Sequence, residues 1–266
     1  LNSAAYFAGL MENLHPEAVG RNQATGRGRK VSAAMTAVSL NHDVYQALAS
    51  LDVSKEDAAT RYYVQRQLLE FRLAGVDKDD ATRARLKKLN DQLTEEQSAF
   101  ERNIADGQKT VEADPAELDG LPQDYIARHK PGADGKVKIT TEYPDILPAM
   151  KFSKSDALRR QLFEAFTTRA YPQNQDVLKK MMQTRYDIAT LLGYSSWADY
   201  NAADKMIKKG ANIGEFIQQV DDATRPIAVR EFAMLLKEKQ KTDPGAKEIG
   251  DYEQSQLQEL VRRAQY

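Results

Sequence analysis

In ATRARLKKLNDQLTEEQSAFERNIADGQKTV, residues 81–111, Leu86, Leu89, Leu93, Phe100 and Ile104 recur at spacings of 3, 4, 7 and 4. Apolar side chains at three- and four-residue intervals share one face of an α-helix. The stretch is therefore predicted to be a single long amphipathic helix, on the order of 45 Å at a rise of about 1.5 Å per residue. A spine of that length suits a large, mainly helical lobe.

Outward from that helix the same period continues almost everywhere. Ser54 with Asp57, Ser153 with Asp156 and Ser196 with Asp199 fit the capping box, in which a hydroxyl and a carboxylate satisfy orphan backbone donors reciprocally. Each predicts a helix start. Thr94 with Gln97 fits the same pattern but falls inside the long helix and is set aside. Gly75 after Phe71-Arg72-Leu73-Ala74, and Gly193 after Leu191-Leu192, stand where a left-handed helix C-cap wants glycine. Pro226 interrupts the pattern running from Phe216, Ile217 and Val220 to Phe232, Leu235 and Leu236, and predicts a bend or break near Thr224. Between Asp114 and Pro148, prolines and glycines punctuate the chain around Val137-Lys138-Ile139-Thr140-Thr141, which is predicted to be a short strand in a solvent-facing hairpin. The expected order is helical over 1–113, a loop and β insertion over 114–150, and helical over 151–266.

With 266 residues, 41% of them hydrophobic, the chain can bury a substantial core. Lys plus Arg (38) and Asp plus Glu (39) nearly cancel, so no overall field draws it to nucleic acid or to an anionic membrane. Cysteine is absent, which removes disulfides, thiolate metal sites and thiol nucleophiles. No run approaches the roughly 18 apolar residues of a membrane span, and the opening Leu1-Asn2-Ser3-Ala4-Ala5-Tyr6 does not read as a signal peptide. The expected compartment is the cytoplasm, with periplasm or secretion left open. Leu1 at the start, and an amphipathic pattern of Leu257, Leu260, Val261 and Ala264 that reaches Tyr266 without Gly or Pro, predict a segment of something longer.

The chemistry-bearing patterns are few. A hydrolytic zinc site on one helix needs His-Glu-x-x-His, because positions i and i+4 face the same way and the intervening Glu reaches the metal-bound water. The histidines are His15, His42 and His129, followed by Pro, Asp and Lys, so none has that context. There is no phosphate-binding glycine loop, and Gly193-Tyr194-Ser195-Ser196-Trp197 lacks the second glycine of a serine nucleophile elbow. Arg21 through Lys30 carries four positive charges and two glycines, and reads either as an anion contact or as a solvated loop. Glu95-Glu96 and Asp221-Asp222 are adjacent helical residues on different faces, expected to be solvated charge. Trp197 with Tyr200, and Met181-Met182 on the helix of Leu178, Ile188 and Leu192, fit either a peptide channel wall or core packing. No catalytic, cofactor-binding or metal residue is assigned.

Several blocks stand in a recognisable order: Lys138-Ile-Thr-Thr-Glu-Tyr-Pro144, a helix rich in Arg and Phe, Leu191-Leu192-Gly193-Tyr194, and Ala198-Asp199-Tyr200. Ahead of them come Arg61-Tyr62-Tyr63-Val64, Phe71 to Gly75, Phe100 with Asn103-Ile104, and Leu118-Asp119-Gly120-Leu121-Pro122. This ordered set, over about residues 45–266, resembles the thimet oligopeptidase and oligopeptidase A family of zinc metallopeptidases.

The resemblance implies a mainly α architecture: an elongated multi-helix lobe with one small β element, like the N-terminal half of a two-lobed zinc oligopeptidase built around a channel for short unstructured peptides. It implies zinc in the full-length protein, none held by this segment, and as partners short peptides and a C-terminal catalytic lobe. No nucleic acid or membrane is implied. The family's metal ligands and general base lie beyond Tyr266, so this segment alone is expected to be inactive. Two other readings stay open on composition: a non-enzymatic helical module that binds a peptide or partner helix, and a purely structural scaffold.

Overall fold

Helix signals govern nearly the whole chain, and the computed structural model, which describes residues 1–265, is correspondingly mainly α. It divides into two units, Leu1–Glu101 with Asn174–Phe216, and Arg102–Gln173 with Ile217–Tyr266.

The first unit contains α1 (Asn2–Leu14), α2 (Ala18–Ser39), α3 (His42–Ala49), α4 (Ala58–Ala74) and most of α5 (Asp80–Asp106). It continues with α9 (Gln173–Leu192), α10 (Trp197–Ala202) and the first turns of α11 (Gly210–Gln240). Its core joins the apolar stripe of α5, Leu86 and Leu93, to Met181, Ile188 and Leu192 of α9, with Leu40 alongside. The two predicted glycine caps are present. Gly75 has φ +93°, with Val76 N–H donating to Phe71 O at 3.1 Å, and Gly193 has φ +95°, with Tyr194 N–H donating to Ala189 O at 2.9 Å. Both are Schellman endings, in which a left-handed residue lets the following amide reach back five positions.

The second unit contains β1 (Thr110–Ala113), α6 (Gln123–Arg128), β2 (Val137–Thr140), α7 (Tyr143–Phe152), α8 (Asp156–Thr167), the rest of α11, and α12 (Gln254–Gln265). β1 and β2 pair antiparallel, Thr110 opposite Thr140 and Ala113 opposite Val137. Strand alternation puts Val137 and Ile139 inward with Ala113, against Leu118, Leu158 and Leu162. On the outer face Lys138 Nζ lies 3.9 Å from Glu112 Oε1 across the ladder.

Several sequence expectations are corrected. The long helix ends at Asp106 rather than Val111, because residues 110–113 leave it to pair with β2. The strand is no solvent-facing hairpin, since its inward side chains are the centre of a core. The part expected to be helical over 1–113 ends in strand β1, and the 114–150 insertion holds α6 and most of α7. Asp57, not Ser54, caps α4, accepting from Thr60 N at 2.8 Å. Ser155, not Ser153, caps α8. Ser153 is instead buried and donates to Glu117 O at 2.8 Å. Only Ser196 caps as predicted, accepting from Asp199 N at 3.1 Å. Of the bend or break expected near Thr224, the break does not occur: the helix continues through Pro226, and Thr224 Oγ1 donates to Val220 O at 2.8 Å. The exposed position explains this, because water can satisfy the one carbonyl that proline leaves without a donor.

Candidate functional site

Within the second unit a cleft of about 560 Å³ opens where α12 packs against α7. That volume falls in the range of small-ligand sites. Helix α7 starts with Pro144 in its first turn, where the missing N–H costs nothing, and buries Ile146, Ala149 and Met150. Its next faces carry Leu147, Lys151 and Phe152 to the cleft. From α12 come Gln258, Glu259 and Arg262.

Glu259 is the unusual residue: only 4% exposed, it has both carboxylate oxygens engaged. Arg263 Nε donates to Oε1 at 2.7 Å, Arg262 Nη2 donates to Oε2 at 2.7 Å, and Lys151 Nζ stands 3.3 Å from Oε2. Residues three and four positions on share a helix face, so α12 supplies two of these cations itself and α7 supplies the third. The Arg263 donor, followed by Arg262 and Lys151, lowers the Glu259 pKa to about 2, against the opposing pull of burial. Phe152 sits beneath two of the cations, with Lys151 Nζ 5.3 Å and the Arg263 guanidinium carbon 5.1 Å from the ring centroid.

A carboxylate whose folded pKa lies below its unfolded value stabilises the fold above the unfolded pKa, and that contribution disappears as the pH falls through the folded one. For Glu259 the window runs from the ordinary 4.5 down to about 2. Glu259→Gln is expected to lower the melting temperature at neutral pH and to flatten its fall across that window. Parallel pH–melting curves for wild type and variant would contradict the assignment.

Sequence-flagged residues have other fates. The histidines have separate local partners: His15 Nδ1 accepts from Glu17 N at 3.1 Å, His42 Nε2 lies 3.2 Å from Gln46 Nε2, and His129 stacks on Tyr125 at 4.0 Å with Nε2 3.2 Å from Asp145 Oδ1. Tyr125 is buried, which raises its pKa, and its hydroxyl donates to Asp145 O at 2.9 Å. Among the described residues no group of three or more His, Cys, Asp or Glu is placed to hold a metal. The Arg21–Lys30 cluster is not a loop but part of α2, and Arg21 Nη1 donates to the end of α1 at His15 O, 2.8 Å away. Glu96 is not simple solvated charge either, because α9 brings Thr184 Oγ1 to 3.2 Å from its Oε1 while Gln92 Nε2 donates to the same atom at 2.9 Å. Asp221 keeps to its own helix, paired with Arg225. Met181 is core, Trp197 and Tyr200 pack against that core, and Met182 is exposed.

Sequence reasoning did not single out Glu259. Its one signal was a Glu followed by Arg at i+3 and i+4, a pattern that on most helices marks a solvated surface pair. Burial by α7 is what makes it different.

Residues 149–266, which include most of the cleft, match the profile of Peptidase family M3. Saccharolysin of Saccharomyces cerevisiae is 27% identical over 210 residues, 74% of this chain and 29% of that protein. A thimet-like oligopeptidase of Dictyostelium discoideum is 27% identical over 77% of this chain and 32% of its own length. Oligopeptidase A of Haemophilus influenzae is 27% identical over 85% of this chain and 36% of its own. The chain thus spans about a third of the length of these relatives. No described helix is long and apolar enough to cross a membrane. The chain is similar over most of its length to saccharolysin, thimet-like oligopeptidase and oligopeptidase A, and over residues 149–266 to Peptidase family M3, as its ordered Tyr-Pro, Leu-Gly-Tyr and Ala-Asp-Tyr blocks lead one to expect.

Proposed function

We propose that this chain is a non-catalytic, channel-lining part of a zinc-dependent oligopeptidase that hydrolyses short unstructured peptides. The observation that carries the reading is the family match over residues 149–266 together with relatives named as oligopeptidases. Zinc in such an enzyme would activate the attacking water. The donors for it are not gathered among the described residues, so no catalytic step is assigned to this chain's side chains.

The test has two parts. The gene is read beyond the codon for Tyr266 for a His-Glu-x-x-His helix with a later Glu ligand, and the present chain is compared with the whole gene product on an internally quenched peptide. The whole product is expected to be sensitive to chelators and at least about 10³-fold faster, a small part of what enzymes supply. Turnover by the present chain alone, or a gene without the motif, would overturn the reading.

A channel wall should also carry apolar surface that needs a partner. On α11, Ile217, Val220, Ile227, Val229 and Phe232 are all exposed. Exposed apolar side chains in this number favour association in water. The purified chain is expected to self-associate with rising concentration in light scattering, and a monodisperse monomer throughout would count against the channel-wall role.

A further inference from the structure

Among the described residues, the cleft between α7 and α12 holds more positive charge than it neutralises. One buried carboxylate, Glu259, faces Lys151, Arg262 and Arg263. Both of its oxygens are already engaged, so it serves to hold the cations rather than to receive a ligand. Arg262 spends Nε and Nη2 on it and Arg263 spends Nε, and a guanidinium has five N–H donors. Donors therefore remain at the mouth, where the Lys151 side chain is 42% and the Arg262 side chain 62% exposed. Glu231 lines an adjoining cleft with the other side of Arg262 and forms no ion pair with it among the described residues. Beside this charge stand the apolar Leu147, Pro148, Met150 and Phe152 of α7, with Ser255 and Gln258 of α12 as the uncharged polar part of the wall.

We propose that this cleft binds the free C-terminal carboxylate of a short peptide, with Lys151 and Arg262 pairing the carboxylate and Leu147 and Phe152 covering an apolar terminal side chain. A carboxylate accepts forked donors from a guanidinium, and such charge-assisted bonds are stronger than neutral ones. Glu259 preorganises the donors, because its burial and triple pairing hold the cationic side chains at the mouth before a ligand arrives. Only the choice of a peptide as ligand rests on the proposed oligopeptidase function; the anion site rests on the geometry alone.

The experiment titrates the chain with N-acetyl-Phe-Leu as the free acid and as its C-terminal amide, following binding by calorimetry and the methyl signals of Leu147 and Met150. The acid is expected to bind at least about tenfold more tightly than the amide, in keeping with charge-assisted pairing, and to weaken with added salt. Lys151→Gln should erase most of the preference. Should that change disturb the fold, Leu147→Glu provides a second route: Leu147 is 55% exposed and outside the Glu259 pairs, so the variant keeps the core while placing a negative charge at the mouth. It is expected to abolish binding of the acid. Equal binding of acid and amide, no binding of either, or an unaltered Leu147→Glu variant would overturn the site. The peptidase reading fails separately, on turnover and on the gene sequence.

Discussion

Gly120→Ala is expected to destabilise the second unit by about 2–5 kcal/mol, the sum of left-handed backbone strain in an L-residue and overpacking. Gly120 has φ +92°, and a Cβ built there would stand 2.4 Å from Phe152 O, a backbone atom at the end of α7. The neighbouring amide pairing, Lys154 N to Asp119 O at 2.9 Å, holds the two segments together, so neither can retreat cheaply. Gly135 is the control. Its φ is +76° but nothing lies within 4 Å of a Cβ, so Gly135→Ala should meet only the strain, about 1–2 kcal/mol. Urea denaturation followed by far-UV circular dichroism measures both. Equal losses in the two variants would show that the contact with Phe152 is unimportant. Against a total stability of about 5–15 kcal/mol, the larger figure is enough to depopulate the unit at moderate temperature. The Leu-Asp-Gly-Leu-Pro block thus has a physical reason for its glycine.

Leu86→Ala should cost about 3–5 kcal/mol, as truncation of a fully buried leucine loses transfer energy and leaves a cavity. Leu86 has no exposed surface and lies at the centre of the first unit's core, within contact distance of both Gly75 and the core of α9. Trp197, the single tryptophan, packs against that same core, so its fluorescence reports the transition directly. Leu178→Ala on α9, 44% exposed, should move the midpoint little. A Leu86→Ala midpoint no lower than that of Leu178→Ala would mean that the α5–α9 core does not limit stability.

The helical character of the chain was legible because it is written in local spacing. Leu86 and Leu93 are buried at the positions their period requires, and Gly75 and Gly193 end helices where only glycine takes a positive φ without penalty. Helix starts were less legible. Any hydroxyl ahead of a carboxylate at i+3 resembles a capping box, and the backbone chose Asp57 and Ser155 over Ser54 and Ser153 once Ser153 was drawn to Glu117 O. The Arg21–Lys30 stretch, with two glycines, looked like a loop, yet α2 runs through it in antiparallel company with α1, as packing outweighs a propensity deficit of about 1 kcal/mol per glycine.

The site was hardly legible at all. Lys151 lies more than a hundred residues before Glu259, and no local pattern marks them as partners. Periodicity and cap chemistry depend on neighbours within one or two helical turns, and these settled the helical class, the long α5, the strand at Val137–Thr140 and two helix ends. Tertiary packing alone settled which strand Val137–Thr140 would pair with, that its face would be core, and that Glu259 would be buried among three cations. Burial and charge balance are properties of what lies across the space from a residue, and a chain read in order carries no measure of that distance.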